Sequence, residues 1–228
     1  YMKVSVFLPC RAGSERVPKK NTRTFAGIEG GLVKIKLNQL ISCPSVDEII
    51  LSTNDDEVIQ IAESISNNKI RVDRRPEHLA TSATSTDDLV KYVPTIITEG
   101  EVLWTHVTSP FIDVNIYEEA ISTYKKLKHE SNYDSLMSVT TLRTFIWNKE
   151  GAVNYDRNKE KWPRTQTIEP LFEINSGIFL AETGIYKQLQ DRIGKKPYLF
   201  EVNDIDSFDI DWEEDFFIAE AIYKKLND

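Results

Sequence analysis

The sequence predicts an α/β fold in which helices cover both faces of a mainly parallel sheet, giving three layers. Strand-like and helix-like segments alternate along the 228 residues, from an apolar strand at residues 4–8 to a last helix at residues 212–226. Such alternation is typical of parallel strands joined through helices. Since 40% of the residues are hydrophobic, a substantial core is available, and we expect residues 2–228 to form a single domain.

The strands are predicted from short runs rich in Val, Ile and Leu, bounded by polar or turn residues. The first run leads directly into a loop with Gly and Pro. Most later runs are separated by stretches long enough for a helix, as parallel pairing requires. The predicted strands are residues 4–8, 46–53, 70–72, 102–107, 135–140, 175–181 and 198–202.

The helices are predicted from apolar residues that recur at helical spacing. Residues 114–127 show the clearest amphipathic pattern, and Asn54 or Asp55 is a suitable N-cap for the second helix. Pro94 is expected to end or kink the third helix. The predicted helices are residues 32–41, 55–65, 87–97, 114–127, 183–189 and 212–226.

Residues 141–171 do not continue this alternation. The segment contains two of the four tryptophans, Trp147 and Trp162, with two prolines, many charged residues and weak periodicity. A buried βα unit needs a regular apolar pattern. We therefore expect an insertion or projecting arm here.

Composition argues against several classes of protein. The net charge of −8 and the pI near 5.1 argue against nucleic acid or an anionic membrane as the main partner. No apolar run approaches the roughly 18 residues that span a bilayer, and the N-terminal residues show no signal-peptide pattern. Cys10 and Cys43 suggest neither a disulfide framework nor a zinc site. These features favour a cytoplasmic protein.

The loop at residues 8–21 is the first candidate functional element. It carries four cations in an otherwise acidic chain, while Gly13 and Ser14 allow backbone N–H groups to approach an anion. Ligands of parallel sheets bind beyond the carboxyl ends of the strands, where this loop lies. The spacing fits neither common Gly-rich nucleotide motif, so a solvated basic turn is an alternative to a polyphosphate site. The four cations are Arg11, Arg16, Lys19 and Lys20.

Asp209 and Asp211 form the second candidate element, near the other end of the chain. In an extended segment, residues two apart point to the same side, and two such carboxylates repel each other unless a cation lies between them. Mg²⁺ commonly joins one or two carboxylates to substrate phosphates. The alternative is a helix cap, because Asp211 and Glu214 have the spacing of a capping box. We interpret Asp204 and Asp206 as surface residues.

Five ordered segments of the chain resemble the N-acylneuraminate cytidylyltransferase family, which makes CMP-sugars. Residues 8–21 (LPCRAGSERVPKKN) resemble its N-terminal signature, with Cys10 in place of the usual Ala. The remaining four segments are RPEHLA at 75–80, TSP at 108–110, NSG at 175–177 and SFDID at 207–211. The resemblance covers nearly the whole chain and implies a Rossmann-like nucleotidyltransferase fold with a dimerisation arm at residues 141–171.

The resemblance implies roles for particular residues. Arg11, Lys20 and Asp211 would be catalytic, and Asp209 and Asp211 would hold Mg²⁺. Arg164 is a partner for the sugar carboxylate through its planar guanidinium, with a structural salt bridge as the alternative. The residues implied for CTP binding are Leu8, Arg11, Ser14, Lys20, Asn21, Arg75, Ser85 and Thr86. The residues implied for the sugar are His106, Thr108, Arg164, Gln166 and Asn175.

The resemblance also implies a reaction and an assembly. The anomeric hydroxyl of a nonulosonic acid would attack the α-phosphorus of CTP and release pyrophosphate, which needs positioning and charge neutralisation more than a protein nucleophile. One hypothesis is that Asp211 deprotonates the hydroxyl through a metal-bound water. Family members are homodimers in which the arm of one subunit reaches the sugar site of the other.

Two departures from the family pattern leave the sugar open. Residues 106–112 are HVTSPFI where the family often has QPTSPLR, and Glu15-Arg16 stands where sialic acid enzymes frequently have Lys-Gly. Pseudaminic and legionaminic acids are therefore candidates beside sialic acid.

Three further interpretations stay open at the level of sequence. The first is a cytidylyltransferase for Kdo or a phosphorylated sugar, although Kdo enzymes resemble this chain less in the first loop. The second is a catalytically silent nucleotide-binding module on the same fold. The third is a glycosyltransferase domain, whose Asp-x-Asp motif usually lies mid-chain rather than before the last helix.

Overall fold

A computed structural model describes residues 1–130 and 132–228, and in these residues the chain forms nine strands and six α-helices. The strands are β1 (Val4–Pro9), β2 (Glu48–Thr53), β3 (Ile70–Arg74), β4 (Glu101–Trp104), β5 (Ser135–Leu142), β6 (Trp147–Asn148), β7 (Gly151–Ala152), β8 (Leu171–Glu182) and β9 (Pro197–Glu201). The helices are α1 (Gly31–Ile41), α2 (Asp56–Ile65), α3 (Thr86–Ile96), α4 (Val114–Glu130), α5 (Thr183–Leu189) and α6 (Glu213–Asn227).

The central sheet has seven strands in the order β3-β2-β1-β4-β8-β5-β9. The pairs β1/β2, β1/β4, β2/β3 and β5/β9 are parallel. Strand β8 runs antiparallel to both of its neighbours, β4 and β5. The predicted mainly parallel sheet is therefore confirmed, with one reversed strand that the hydrophobic pattern does not indicate.

The two faces of the sheet carry separate apolar clusters, as alternation along β1 illustrates. Val6 and Leu8 face one cluster, which α1, α2, α4 and α6 cover. Phe7 and Trp104 belong to the other cluster, which α3 and α5 cover. Helices therefore lie on both faces, and the predicted three-layer α/β/α architecture is confirmed.

Most predicted elements occur within a few residues of their predicted bounds, and two details are informative. Asp55 is the N-cap of α2, and its side chain accepts a hydrogen bond from the Glu57 N–H. Pro94 lies inside α3, which continues to Ile96. Pro94 cannot donate a hydrogen bond to the carbonyl one turn earlier, and the helix ends two residues after it.

Between the end of β5 at Leu142 and the start of β8 at Leu171, the chain forms no α-helix and no strand of the main sheet. Strands β6 and β7 make a small antiparallel hairpin outside the main sheet. Beside it, Phe145 packs edge-on against Tyr155 and Trp162, with ring centroids 5.1 and 5.5 Å apart. Trp147 and Trp162 are 51% and 67% exposed, so this segment presents an aromatic surface to solvent.

Among the helices of residues 1–130 and 132–228, none combines the length and the apolar character that crossing a bilayer requires.

Candidate active site

The loop after β1 leaves the sheet at its carboxyl edge and is anchored to β2. The Cys10 N–H donates to the Ser52 carbonyl at 2.9 Å, and the Thr53 hydroxyl donates to the Cys10 carbonyl at 2.5 Å. Farther along, Gly13 has a φ of 84°, a left-handed conformation that favours glycine. These contacts hold the start of the loop while its cationic part turns over the strand ends.

This loop forms one wall of a cavity of about 430 Å³ at the carboxyl ends of β1 and β4, which we call the loop cavity. Backbone and cationic side chains line one side, and residues that follow β4 line the other. Six of the residues that the sequence indicates for CTP or sugar binding meet here. The lining residues are Pro9, Cys10, Arg11, Ser14, Glu15, Arg16, Lys20, Asn21, His106, Val107 and Thr108.

The cations of the loop have different surroundings. Lys20 Nζ donates to the Ile210 carbonyl at 3.3 Å, whereas Lys19 Nζ pairs with the exposed Glu57 carboxylate at 3.0 Å. Burial lowers the pKa of Lys20, and the nearby Asp209 and Asp211 carboxylates oppose that shift. Lys20 therefore joins the loop to the aspartate segment, nearly two hundred residues later in the chain.

Asp209 and Asp211 lie close together, as their spacing predicts. Burial raises the pKa of Asp209, and the neighbouring Asp211 carboxylate raises it further, while a hydrogen bond from Thr108 and the charge of Lys20 lower it. The Ile210 N–H between them donates to the Thr108 carbonyl at 3.0 Å. The segment after β4 therefore holds this pair beside the loop cavity.

The donor set of this pair fits Mg²⁺. In the described residues, no group of three or more His, Cys, Asp and Glu side chains is arranged to hold a metal. An ion held by Asp209 and Asp211 would therefore complete its coordination with oxygens from water or from a bound phosphate. That combination of one or two carboxylates with outside oxygens is what Mg²⁺ commonly adopts.

The predicted capping box at Asp211 and Glu214 is wrong. Helix α6 begins at Glu213, and the Asp215 carboxylate accepts hydrogen bonds from the Asp211 and Trp212 N–H groups at 3.0 and 2.8 Å. Asp215 therefore ties down the backbone ahead of the helix. The Asp211 side chain is left available to face Asp209.

A second cavity, of about 560 Å³, is lined by Asp209 and Asp211 themselves, and we call it the acidic cavity. Asn175 is the sugar-binding candidate that lines it. Sequence reasoning missed Glu173 and Asp215, although the spacing of Asp211 and Asp215 ahead of a helix could have indicated the role of Asp215. Asp204 is exposed, as predicted, and also lines this cavity. The cavity is lined by Thr140, Leu142, Glu173, Ile174, Asn175, Ser176, Asp204, Ser207, Phe208, Asp209, Asp211 and Asp215.

Four of the residues implied for CTP binding have structural roles in this chain. The Leu8 side chain is fully buried in the core, so a nucleotide contact there would have to come from its backbone. Arg75 is 4% exposed, and its guanidinium donates to the Ser52 carbonyl and hydroxyl at 2.8 and 3.1 Å. Ser85 caps α3 by accepting from the Asp88 N–H, and Thr86 is the first residue of that helix. All four lie outside the described lining of the two cavities.

Arg164 and Gln166 lie in the arm, at and just inside a 3-10 turn at Thr165–Thr167. Both are exposed, and neither belongs to the described lining of the loop cavity or the acidic cavity. A single chain therefore does not bring them to the site, and their roles stay predictions.

His106 lines the loop cavity with both of its ring nitrogens in contact with the protein. Nε2 lies 3.1 Å from the Trp104 indole nitrogen, and Nδ1 lies 3.0 Å from the Ser176 carbonyl oxygen. Burial lowers the pKa of His106 to about 4. The ring is therefore neutral at physiological pH.

Two relatives resemble the chain along nearly its whole length. An N-acylneuraminate cytidylyltransferase of Escherichia coli is 26% identical over 99% of this chain and 53% of that relative, so the chain spans about half of its length. A pseudaminic acid cytidylyltransferase of Campylobacter jejuni is 24% identical over 98% of this chain and 97% of that relative.

Structural similarity agrees with these sequence matches. A CMP:2-keto-3-deoxy-manno-octonic acid synthetase complexed with CTP shares the fold with a TM-score of 0.71 at 15% identity, over 98% of this chain and 99% of that one. The family model described as cytidylyltransferase matches residues 5–226. This match includes the loop cavity, the aspartate pair and, apart from Val4, all seven strands of the main sheet. The chain therefore belongs to the cytidylyltransferase family.

Proposed function

We propose that this protein transfers CMP from CTP to the anomeric hydroxyl of a nonulosonic acid and releases pyrophosphate, with Mg²⁺ as cofactor. The observation that carries the proposal is the meeting of Lys20 with Asp209 and Asp211 at the carboxyl edge of the sheet. Cations for phosphates and carboxylates for a metal thus lie side by side. The names of the two relatives support a nonulosonic acid as the acceptor.

In the proposed reaction, the sugar hydroxyl oxygen forms a bond to the α-phosphorus while the bond from that phosphorus to the bridging oxygen of the β-phosphate breaks. Negative charge grows on the departing pyrophosphate, and Arg11 and Lys20 in the wall of the loop cavity would stabilise it. The hydroxyl proton must leave as the bond forms. Asp211, which lines the acidic cavity and lies near Lys20, is our candidate acceptor for it.

Asp209 and Asp211 would hold Mg²⁺, which supplies positive charge to the triphosphate when bound. The surroundings of this pair favour a bound cation. Burial and the neighbouring Asp211 carboxylate raise the pKa of Asp209, so the doubly charged form of the pair is unfavourable without a positive charge nearby. Lys20 supplies part of that charge from the loop.

The acidic cavity poses a problem for an acidic sugar, because Glu173, Asp204 and Asp215 surround it in addition to the aspartate pair. A sugar carboxylate needs a cationic partner that this wall does not supply. We propose that Arg164 supplies it from the arm of a second copy, in a homodimer. The exposed Trp147 and Trp162 would then be covered on association.

The test is release of pyrophosphate from CTP and Mg²⁺ with a panel of acceptors: N-acetylneuraminic, pseudaminic and legionaminic acids, Kdo, and no acceptor. We expect release with one or more of the nine-carbon acids and none without an acceptor. Release with Kdo alone would replace the proposed acceptor. CTP binding without release on any acceptor would instead support a silent nucleotide-binding module.

A further inference from the structure

His106 is held in one neutral form by the groups on either side of it. The Trp104 indole N–H can only donate a hydrogen bond, so Nε2, 3.1 Å away, accepts it. The Ser176 carbonyl can only accept, so Nδ1, 3.0 Å away, carries the ring proton. If Nε2 also carried a proton, its N–H would face the Trp104 indole N–H, and neither group could accept a hydrogen bond. The surroundings therefore specify both the tautomer and the orientation of the ring.

The carbonyl that His106 holds belongs to an irregular part of β8. Ser176 has a φ of 57°, a left-handed conformation that is uncommon for a residue with a side chain. The pairing of β8 with β5 also changes register here, between Met137 and Val139. The hydrogen bond from His106 thus fixes the backbone at a point where the sheet itself provides less support.

This irregular backbone orients Asn175 in the acidic cavity. The Asn175 side-chain oxygen accepts from the Ser138 hydroxyl at 2.5 Å and from the Gly177 N–H at 3.1 Å. Its side-chain amide donates to the Thr140 hydroxyl at 3.1 Å. Asn175 and Ser176 line the acidic cavity, whereas His106 lines the loop cavity. His106 therefore connects the walls of the two cavities.

We propose that His106 is a positioning residue for the sugar acceptor, acting through the Ser176 carbonyl to set the position of Asn175. It fixes the shape of the acceptor wall and leaves phosphate binding to the loop on the opposite side. This inference rests on the proposed function, which assigns the acidic cavity to the acceptor.

The chemistry of the two partners predicts which substitution can replace His106. A glutamine side chain has one oxygen that can accept from Trp104 and one amide group that can donate to Ser176. Alanine would leave both partners unpaired in a largely buried place. His106→Gln should therefore preserve the arrangement, and His106→Ala should lose it. His129, exposed at the end of α4, provides a matched control as His129→Gln.

The structural arm of the test is NMR of ¹⁵N-labelled protein without substrate. We expect a protonated Nδ1 and an unprotonated Nε2 for His106 from pH 8 down to about pH 5, because Arg192, Lys20 and Lys36 also disfavour a positive ring. The side-chain amide signal of Asn175, assigned by loss in Asn175→Asp, should shift in His106→Ala. It should stay in place in His106→Gln and His129→Gln. The opposite tautomer, or an Asn175 signal that does not respond, would overturn the proposal.

The kinetic arm separates this inference from the proposed function. We expect His106→Ala to raise the KM for the acceptor about tenfold or more, with the KM for CTP within about twofold of wild type, and His106→Gln to restore the acceptor KM. Equal losses for CTP and the acceptor would contradict a role confined to the acceptor. If the wild type itself is inactive on every acceptor, the proposed function fails, and the NMR arm still decides whether His106 positions Asn175.

Discussion

Neighbouring lysines in the loop after β1 provide a direct test of its function at the residue scale. Lys20 lines the loop cavity beside the aspartate pair, whereas the exposed Lys19 is paired with Glu57. We expect Lys20→Met to lower turnover about 10²–10³-fold, because one cation at the growing pyrophosphate charge is lost. Lys19→Met removes an exposed ion pair and should change turnover by less than about threefold. The measurement is pyrophosphate release at saturating CTP and Mg²⁺; equal losses in both variants would indicate a general charge effect.

Lys36 is a fully buried lysine that the sequence did not single out. Its side chain is 0% exposed, and its ammonium donates to the Ile112 carbonyl at 2.8 Å. Burial lowers its pKa from 10.5 to about 7, partly offset by Cys43 and Asp113. Above pH 7 the folded protein releases this proton, while the unfolded chain keeps it. Because the unfolded state then binds more protons, the contribution of Lys36 makes the free energy of unfolding rise with pH up to about 10.5.

We therefore expect the stability of Lys36→Met to exceed that of the wild type by the largest amount below pH 7. Lowering the pKa of Lys36 from 10.5 to about 7 corresponds to a cost on the order of 5 kcal/mol for the charged lysine. Loss of the hydrogen bond to Ile112 offsets part of the gain at every pH. Chemical denaturation from pH 6 to 10 should show that the stability advantage of the variant over the wild type becomes smaller as pH rises. Lys34→Met, at an exposed position of the same helix, should show no such trend.

At the scale of elements, the start of α6 holds the backbone of the proposed Mg²⁺ site. Asp215 accepts from the N–H groups of Asp211 and Trp212, so its loss should loosen the residue that carries one proposed ligand. We expect Asp215→Ala to destabilise the protein by about 1 kcal/mol and to raise the Mg²⁺ concentration for half-maximal activity about tenfold. Glu214→Ala, at the position that the sequence favoured for the cap, should leave both quantities near wild type. Losses in Glu214→Ala without losses in Asp215→Ala would instead support the capping box at Asp211 and Glu214.

How well the sequence predicts an element depends on whether the cause is local. Apolar periodicity and spacing indicate the strands, the helices and the side-by-side carboxylates of Asp209 and Asp211, because each of these follows from neighbouring residues. The direction of β8 depends on the path of the chain through residues 141–171, which no periodicity encodes. Arg75 shows the same limit: its predicted nucleotide contact stays a prediction, and the pairing of its buried guanidinium with Ser52 is not indicated by the motif. Which distant segment a residue contacts is decided by packing, and the local sequence pattern does not indicate it.

At the scale of the whole molecule, charge is distributed so that one chain provides two unlike halves of a site. The loop cavity contains Arg11, Arg16 and Lys20, which suits a triphosphate. The acidic cavity contains several carboxylates, which does not suit the carboxylate of a sugar acid. A second copy that contributes Arg164 would resolve this imbalance, and it would also cover the aromatic surface of the arm.

The proposed homodimer predicts that two inactive variants restore activity to each other. In Lys20→Met the loop is defective and the arm intact; in Arg164→Ala the reverse holds. If each site combines the loop of one subunit with the arm of the other, a mixed dimer has one site with both residues intact. Random exchange of equal amounts makes half of the dimers mixed, so we expect about a quarter of wild-type pyrophosphate release. The mixture is refolded or exchanged together, and each variant alone is the control. Activity no greater than the average of the two variants would show that Arg164 acts within its own subunit or outside the site.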